Sequence, residues 1–136
     1  MNSKIERYNK LDEQDYIRQG SHRSKSMPIN EIEELKNQFV KQLSPIRIYF
    51  FGSFANGTNS ENCDLDFYIV VDDKVTDLVE MTASAYKAIR TTKQRPVDII
   101  VGTSSRFDER KNMMSVENEV FEKGVLLYEA GNETVA

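Results

Sequence analysis

At 136 residues the chain has room for one domain with a core of its own, so it needs no disulfide or metal staple to fold. A formal charge of −4 and an isoelectric point near 5.1 exclude a dedicated nucleic-acid binder, which carries a basic footprint. The single cysteine, Cys63, excludes an internal disulfide, and no apolar run reaches the length of a membrane span or a signal-peptide core; the expected setting is a reducing cytoplasm.

Charge is uneven along the chain. Residues 1–27 carry six basic residues (Lys4, Arg7, Lys10, Arg18, Arg23, Lys25) and four acidic ones (Glu6, Asp12, Glu13, Asp15), which leaves 12 basic and 18 acidic residues for the remainder. The apolar positions of this segment, Ile5, Tyr8, Leu11, Tyr16 and Ile17, are too sparse for a long amphipathic helix. It reads as a polar, flexible extension ending in a linker, Gly20 to Ser26, that holds the only histidine, His22.

From Pro28 the texture changes. Ile32, Leu35, Phe39, Val40 and Leu43 fall on one helical stripe; Asn30 with Glu33 forms a capping box, and Pro45 stops the run, which predicts a helix over 30–43. Ile46 to Phe51 reads as a first strand and Leu65 to Val71 as a second, buried one. Asp72 or Asp73 is expected to cap a following helix with Val75, Leu78, Val79, Thr82, Tyr86 and Ile89 inward, before a third strand at Val97–Val101. Ser104 or Ser105 opens a short helix through Lys111, Ser115 another through Glu122, and Gly124 precedes a brief last strand at Val125–Tyr128. The order implies an α+β domain, a small mixed sheet with packed helices, over 28–129, followed by a tail at 130–136.

The chemistry concentrates around the first two strands. Gly52-Ser53 sits where the first strand turns, with backbone amides and a hydroxyl available for phosphate oxygens. Ten residues on, Asp64-Leu65-Asp66 opens the second strand, and side chains two apart on a strand share a face. Two carboxylates so placed supply hard oxygen ligands of the kind Mg²⁺ takes alongside waters and phosphates. Other features have plainer readings. Lys87, Arg90, Lys93 and Arg95 gather at a helix end, where cations suit the macrodipole, although phosphate or partner contact is the competing use. Arg106, Arg110 and Lys111 read as a solvated face, Tyr49 and Tyr68 as sheet residues, Gly57 as a turn, and Cys63 as a small buried side chain.

Gly52-Ser53, ten intervening residues, then Asp64-x-Asp66 resembles the signature of the DNA polymerase β-like nucleotidyltransferase superfamily, and Asp98 within Arg95-Pro96-Val97-Asp98-Ile99-Ile100-Val101 matches the third acid of that pattern. The size and the ending Glu122 to Glu129 resemble the minimal nucleotidyltransferases, the branch paired with HEPN-domain proteins in toxin–antitoxin systems. The match spans residues 28–129; it departs at Cys63, where the family often has serine.

That resemblance implies a polymerase β-like fold, catalytic and metal-binding roles for Asp64, Asp66 and Asp98, nucleotide binding by Gly52 and Ser53, and two Mg²⁺ ions with ATP or another triphosphate in the active complex. It further implies transfer of AMP, or another nucleoside monophosphate, to a hydroxyl on a HEPN-domain toxin, the chain acting as antitoxin and able to assemble as an oligomer with that partner. Two alternatives stand beside it. One is a binding-only antitoxin that occludes its partner; the other is an antibiotic-modifying nucleotidyltransferase, although those usually add a helical domain.

Overall fold

The protein's computed structural model describes residues 28–52 and 64–131. Its elements follow in the order α1 (Ile29–Leu43), β1 (Arg47–Phe51), β2 (Leu65–Val71), α2 (Leu78–Ala88), β3 (Val97–Thr103), α3 (Ser104–Arg110), α4 (Val116–Lys123) and β4 (Val125–Glu129). Four strands form one sheet in the order β3-β2-β1-β4, with β1 antiparallel to both β2 and β4, and β3 parallel to β2.

Helix α1 keeps the expected stripe, burying Ile32, Leu35, Phe39 and Leu43, but its start differs from the capping box. Pro28 occupies the N-cap without a side-chain hydrogen bond, its carbonyl accepts from the Ile32 amide at 3.0 Å, and Asn30 lies inside the helix. Proline's fixed φ preorganises a first helical turn, which displaces the start toward it. At the other end Ser44 leaves the helix in the left-handed region, φ 50°, because the residue before Pro45 is sterically barred from continuing.

Helix α2 departs further from the expected pattern. It begins after Asp77, whose carboxylate accepts from the Glu80 amide at 3.0 Å. Asp72 instead holds the turn after β2 by accepting from the Lys74 amide, and Asp73 accepts from both the amide and the hydroxyl of Ser105 at the head of α3. A start at Leu78 rotates the inner face to Leu78, Met81, Ala85 and Ile89, while Val79 and Tyr86 become exposed. Tyr86 still serves the sheet, since its hydroxyl accepts from the Ile99 amide of β3 at 3.0 Å. Thr103, not Ser104 or Ser105, caps α3, and Ser115 caps α4 as the pattern required.

The sheet is covered on both faces, so β2, between two neighbours, is apolar on one face throughout and on the other from Tyr68 onward. One face presents Ile48, Phe50, Leu65, Phe67, Ile69, Val71, Val97 and Ile99 to α1 and α2, with Phe39 edge-on to Phe67 at 5.3 Å. The other presents Tyr49, Tyr68, Val70 and Leu126 to Phe107 and Val120 of α3 and α4, with Tyr49 stacked on Phe107 at 5.1 Å. Among the described residues no helix is long and apolar enough to cross a membrane.

Candidate active site

Helices α3 and α4 cover only part of the second face, and the acidic residues lie at its other end, where β1 finishes and β2 and β3 begin. Asp66 is the second residue of β2 and Asp98 the second of β3; the parallel register makes them Cα partners. Their carboxyl groups are in hydrogen-bonding contact. Asp64 stands one residue ahead of β2, exposed, and acts on Asp66 through its charge. The structure therefore brings two of the three expected acids together and leaves the third at the rim. Among the described residues no three His, Cys, Asp or Glu side chains converge closely enough to hold a metal ion as they stand.

Gly52 follows β1 with φ +92°, a conformation that glycine alone adopts freely. A Cβ at this position would land on Oδ2 of Asp66, so glycine is required twice, by the backbone and by the carboxylate it faces. The antiparallel register, which sets Phe51 against Asp66, enforces that approach. Ser53, Gly57 and Cys63 lie outside the described residues, as do His22 and the rest of the N-terminal segment.

The electrostatics of the pair follow from its surroundings. Partial burial, then the Asp98 charge, the Asp64 charge, the hydrogen bond to Asp98 and finally Glu119 of α4 push the Asp66 carboxyl up to about 6. Every neighbour named is acidic. The pair thus holds negative charge that a cation or a proton would relieve.

Three features escaped the sequence pattern. Glu117 of α4 is buried, 1% exposed, and accepts from the Tyr68 hydroxyl at 2.7 Å and from Arg110 Nε at 3.0 Å, with Arg106 Nε at 3.4 Å. The expected solvated face of Arg106, Arg110 and Lys111 is thus an ion-pair network, with Lys111 also reaching Asp108 at 3.6 Å. Burial works to raise the Glu117 carboxyl, but the hydrogen bonds from Tyr68 and Arg110 and the Arg106 charge outweigh it and hold the group below its ordinary range. Gly102 makes room for the Tyr68 hydroxyl, which a side chain there would strike. The second missed feature is Glu31, buried in α1 and paired with Arg95 at 3.2 Å; the third is Glu119. A tyrosine in the otherwise apolar run Phe67 to Val71 was the available signal, since a buried hydroxyl needs a partner.

The nucleotidyltransferase domain, as a sequence family, matches residues 32–127, most of the chain. The chain belongs to that family. The match contains both strands that carry the aspartates and the turn at Gly52. A search of the curated proteins finds no match to this nucleotidyltransferase. Among solved structures, a provisionally assigned nucleotidyltransferase from Sulfolobus solfataricus aligns with TM-score 0.52 and 18% identity over 76% of this chain and 81% of its own. A second provisionally assigned nucleotidyltransferase aligns at 0.50 and 21% identity over 73% of this chain and 99% of its own. A toxin–antitoxin assembly crystallised with AMP-PNP aligns less closely, at 0.48 and 20% identity over 79% and 77%, and adds nothing to the assignment. At these identities the likeness concerns the fold, which is the α+β fold of the nucleotidyltransferases.

Proposed function

We propose that this nucleotidyltransferase transfers AMP from ATP to a hydroxyl group, with Asp64, Asp66 and Asp98 as its catalytic acids and Mg²⁺ as its metal. The observation that carries this reading is the Asp66–Asp98 pair, in register on adjacent strands with Gly52 keeping the space over Asp66 clear. The donor chemistry fits a hard divalent cation, because the pair and Asp64 offer only carboxylate oxygens and Asp66 is destabilised as an anion until positive charge arrives. Bound there by the three aspartates, Mg²⁺, two ions in the active complex, would neutralise triphosphate charge and lower the pKa of the attacking hydroxyl.

The chain's own groups do the remaining work. Phosphoryl-type transfer depends mainly on positioning and charge stabilisation. Gly52 and Ser53 hold phosphate oxygens through the turn after β1. The acceptor oxygen bonds to the α-phosphorus, the bond to pyrophosphate breaks, and an Asp98 carboxylate oxygen takes the hydroxyl proton. Asp66 keeps the opposing charge fixed because it is anchored in the central strand.

For the acceptor, the resemblance of residues 28–129 to the minimal nucleotidyltransferases supports a hydroxyl on a HEPN-domain toxin, the chain acting as antitoxin. Asp98→Asn tests both the chemistry and the competing occlusion reading. ATP binding should persist, while transfer to the partner, followed by intact mass, falls at least about 10²-fold, the lower range for loss of a general base. A wild-type protein that adds no mass to its partner, combined with full inhibition by Asp98→Asn, would leave occlusion as the function.

A further inference from the structure

The arginines of the described residues divide sharply. Arg47 faces Asp108, Arg95 faces Glu31, and Arg106 and Arg110 face Glu117. Arg90 faces no carboxylate among the described residues, and neither do Lys87 and Lys93 on either side of it. All three are exposed. The chain continues its helical turns past α2, with the Arg90 amide bonding to the Lys87 carbonyl and the Lys93 amide to the Ile89 carbonyl, so the three cations follow one another at three-residue intervals along the helix end. Like charges at that spacing repel, and the helix dipole offsets that cost only in part.

This charged end lies at the same end of the sheet as the aspartates, on the face that α2 covers. The Pro96 carbonyl accepts from the Leu65 amide at 3.1 Å, which ties the α2–β3 connection to the residue between Asp64 and Asp66. Arg95 clamps the same connection to buried Glu31 of α1 through Nε and Nη2, each at 3.2 Å. Two residues past Pro96 the chain delivers Asp98 to the pair. Exposed cations with no carboxylate partner among the described residues therefore stand at the end of the sheet that carries the acidic site.

The geometry points to Lys87, Arg90 and Lys93 as a docking surface for an acidic polypeptide segment flanking the hydroxyl that receives the nucleotide. The inference rests on the transfer reading above and names the chemistry of its acceptor. Charge complementarity selects the occupant. An acceptor with Asp or Glu near its hydroxyl would be repelled by the aspartate site alone, and the cationic edge supplies the attraction that holds its acidic side chains away from that site. A nucleic acid is disfavoured, because residues 28–136 carry six more acids than bases and three cations are short of the basic stripe such ligands require.

The test uses fluorescein-labelled poly(Glu,Tyr), which combines acidic side chains with tyrosine hydroxyls, and compares it with poly(Lys,Tyr) and polyuridine on the full chain. Poly(Glu,Tyr) should bind best, and its Kd should rise at least ~10-fold between low and high salt, as an exposed ionic contact requires. The triple variant K87E/R90E/K93E should weaken that binding by at least ~10-fold and the neutral K87Q/R90Q/K93Q by less, whereas K87R/K93R should retain it. The Kd for ATP·Mg²⁺ should move less than about twofold in all of them. Melting temperatures establish that each variant folds, and the neutral triple decides the matter if charge reversal does not. Equal copolymer binding by wild type and both triples, tighter binding of polyuridine, or a selective loss of ATP affinity would each overturn the proposal. Anisotropy reads docking without chemistry, so intact docking with no nucleotide transfer would indict the transfer reading instead.

Discussion

Two acidic centres lie on the same face of the sheet, and they are built in opposite ways. Glu117 is the more buried, yet it is surrounded by donors from Tyr68, Arg106 and Arg110 and sits below the ordinary carboxylate range. Asp66, two residues from Tyr68 on the same strand, is surrounded by Asp98, Asp64 and Glu119 and is pushed up to about 6. Burial alone does not distinguish them. The sign of the neighbours does: one centre is balanced by donors and cations of the chain, whereas among the described residues the other is surrounded by acids alone.

If that contrast is right, deleting the two carboxylates should move stability in opposite directions. Glu117→Leu should cause the largest change, a loss of about 2–4 kcal/mol in urea unfolding, because it orphans the buried Tyr68 hydroxyl and strips two guanidinium groups of their partner. Arg106 and Arg110 can turn toward water, which keeps the cost below that of a fully enclosed pair. A loss below about 0.5 kcal/mol would show that the network is only a surface ion pair.

Gly52→Ala probes where the Asp66 centre meets the backbone. Its methyl group would occupy the position of Asp66 Oδ2 at a backbone φ of +92°, so a loss of about 1–2 kcal/mol is expected together with a drop in nucleotide transfer as the carboxylate is displaced. Unchanged transfer in a variant with the expected stability loss would separate the glycine's conformational role from its service to Asp66.

The smallest effect is the most diagnostic. In the metal-free protein Asp66 keeps its proton up to about pH 6, against an ordinary value of 3.8, so the folded state binds the extra proton across that interval. Its contribution is complete below the lower value and is lost as pH rises through the upper one. Asp66→Asn cannot ionise. In the presence of EDTA it should be more stable than wild type at neutral pH, by no more than about 1 kcal/mol given the solvent screening of a half-exposed group. The difference should close as the solution is acidified toward pH 4, which a series of chemical unfolding curves would read. A gap that widens on acidification would reverse the assignment of the Asp66 centre.

How much of this was legible in the sequence depended on whether the signal was local. The apolar stripe of α1, the strands, Ser115 as a cap and the alternation that aims Asp66 and Tyr68 at one face follow from spacing along the chain. Pro28 displaced Asn30 as the start of α1, and Asp77 displaced two earlier aspartates as the cap of α2, because several residues could satisfy the same local rule and tertiary packing chose among them. That Asp66 and Asp98 are register partners is a property of strand pairing, which periodicity does not contain. Glu117 was missed for a related reason: its partners stand 49, 11 and 7 residues away, so nothing in its own neighbourhood marks it as buried.

Among the described residues the strand order also leaves β3, which carries Asp98, with no strand beyond it. Its outward amides are the kind of template on which a second chain can grow a foreign strand, extending the sheet alongside the aspartates. The Tyr86 hydroxyl, reaching over from α2, already takes the amide of Ile99, the residue after Asp98. The same side chain, which looked like part of the helix's inner face, therefore covers one amide of this edge.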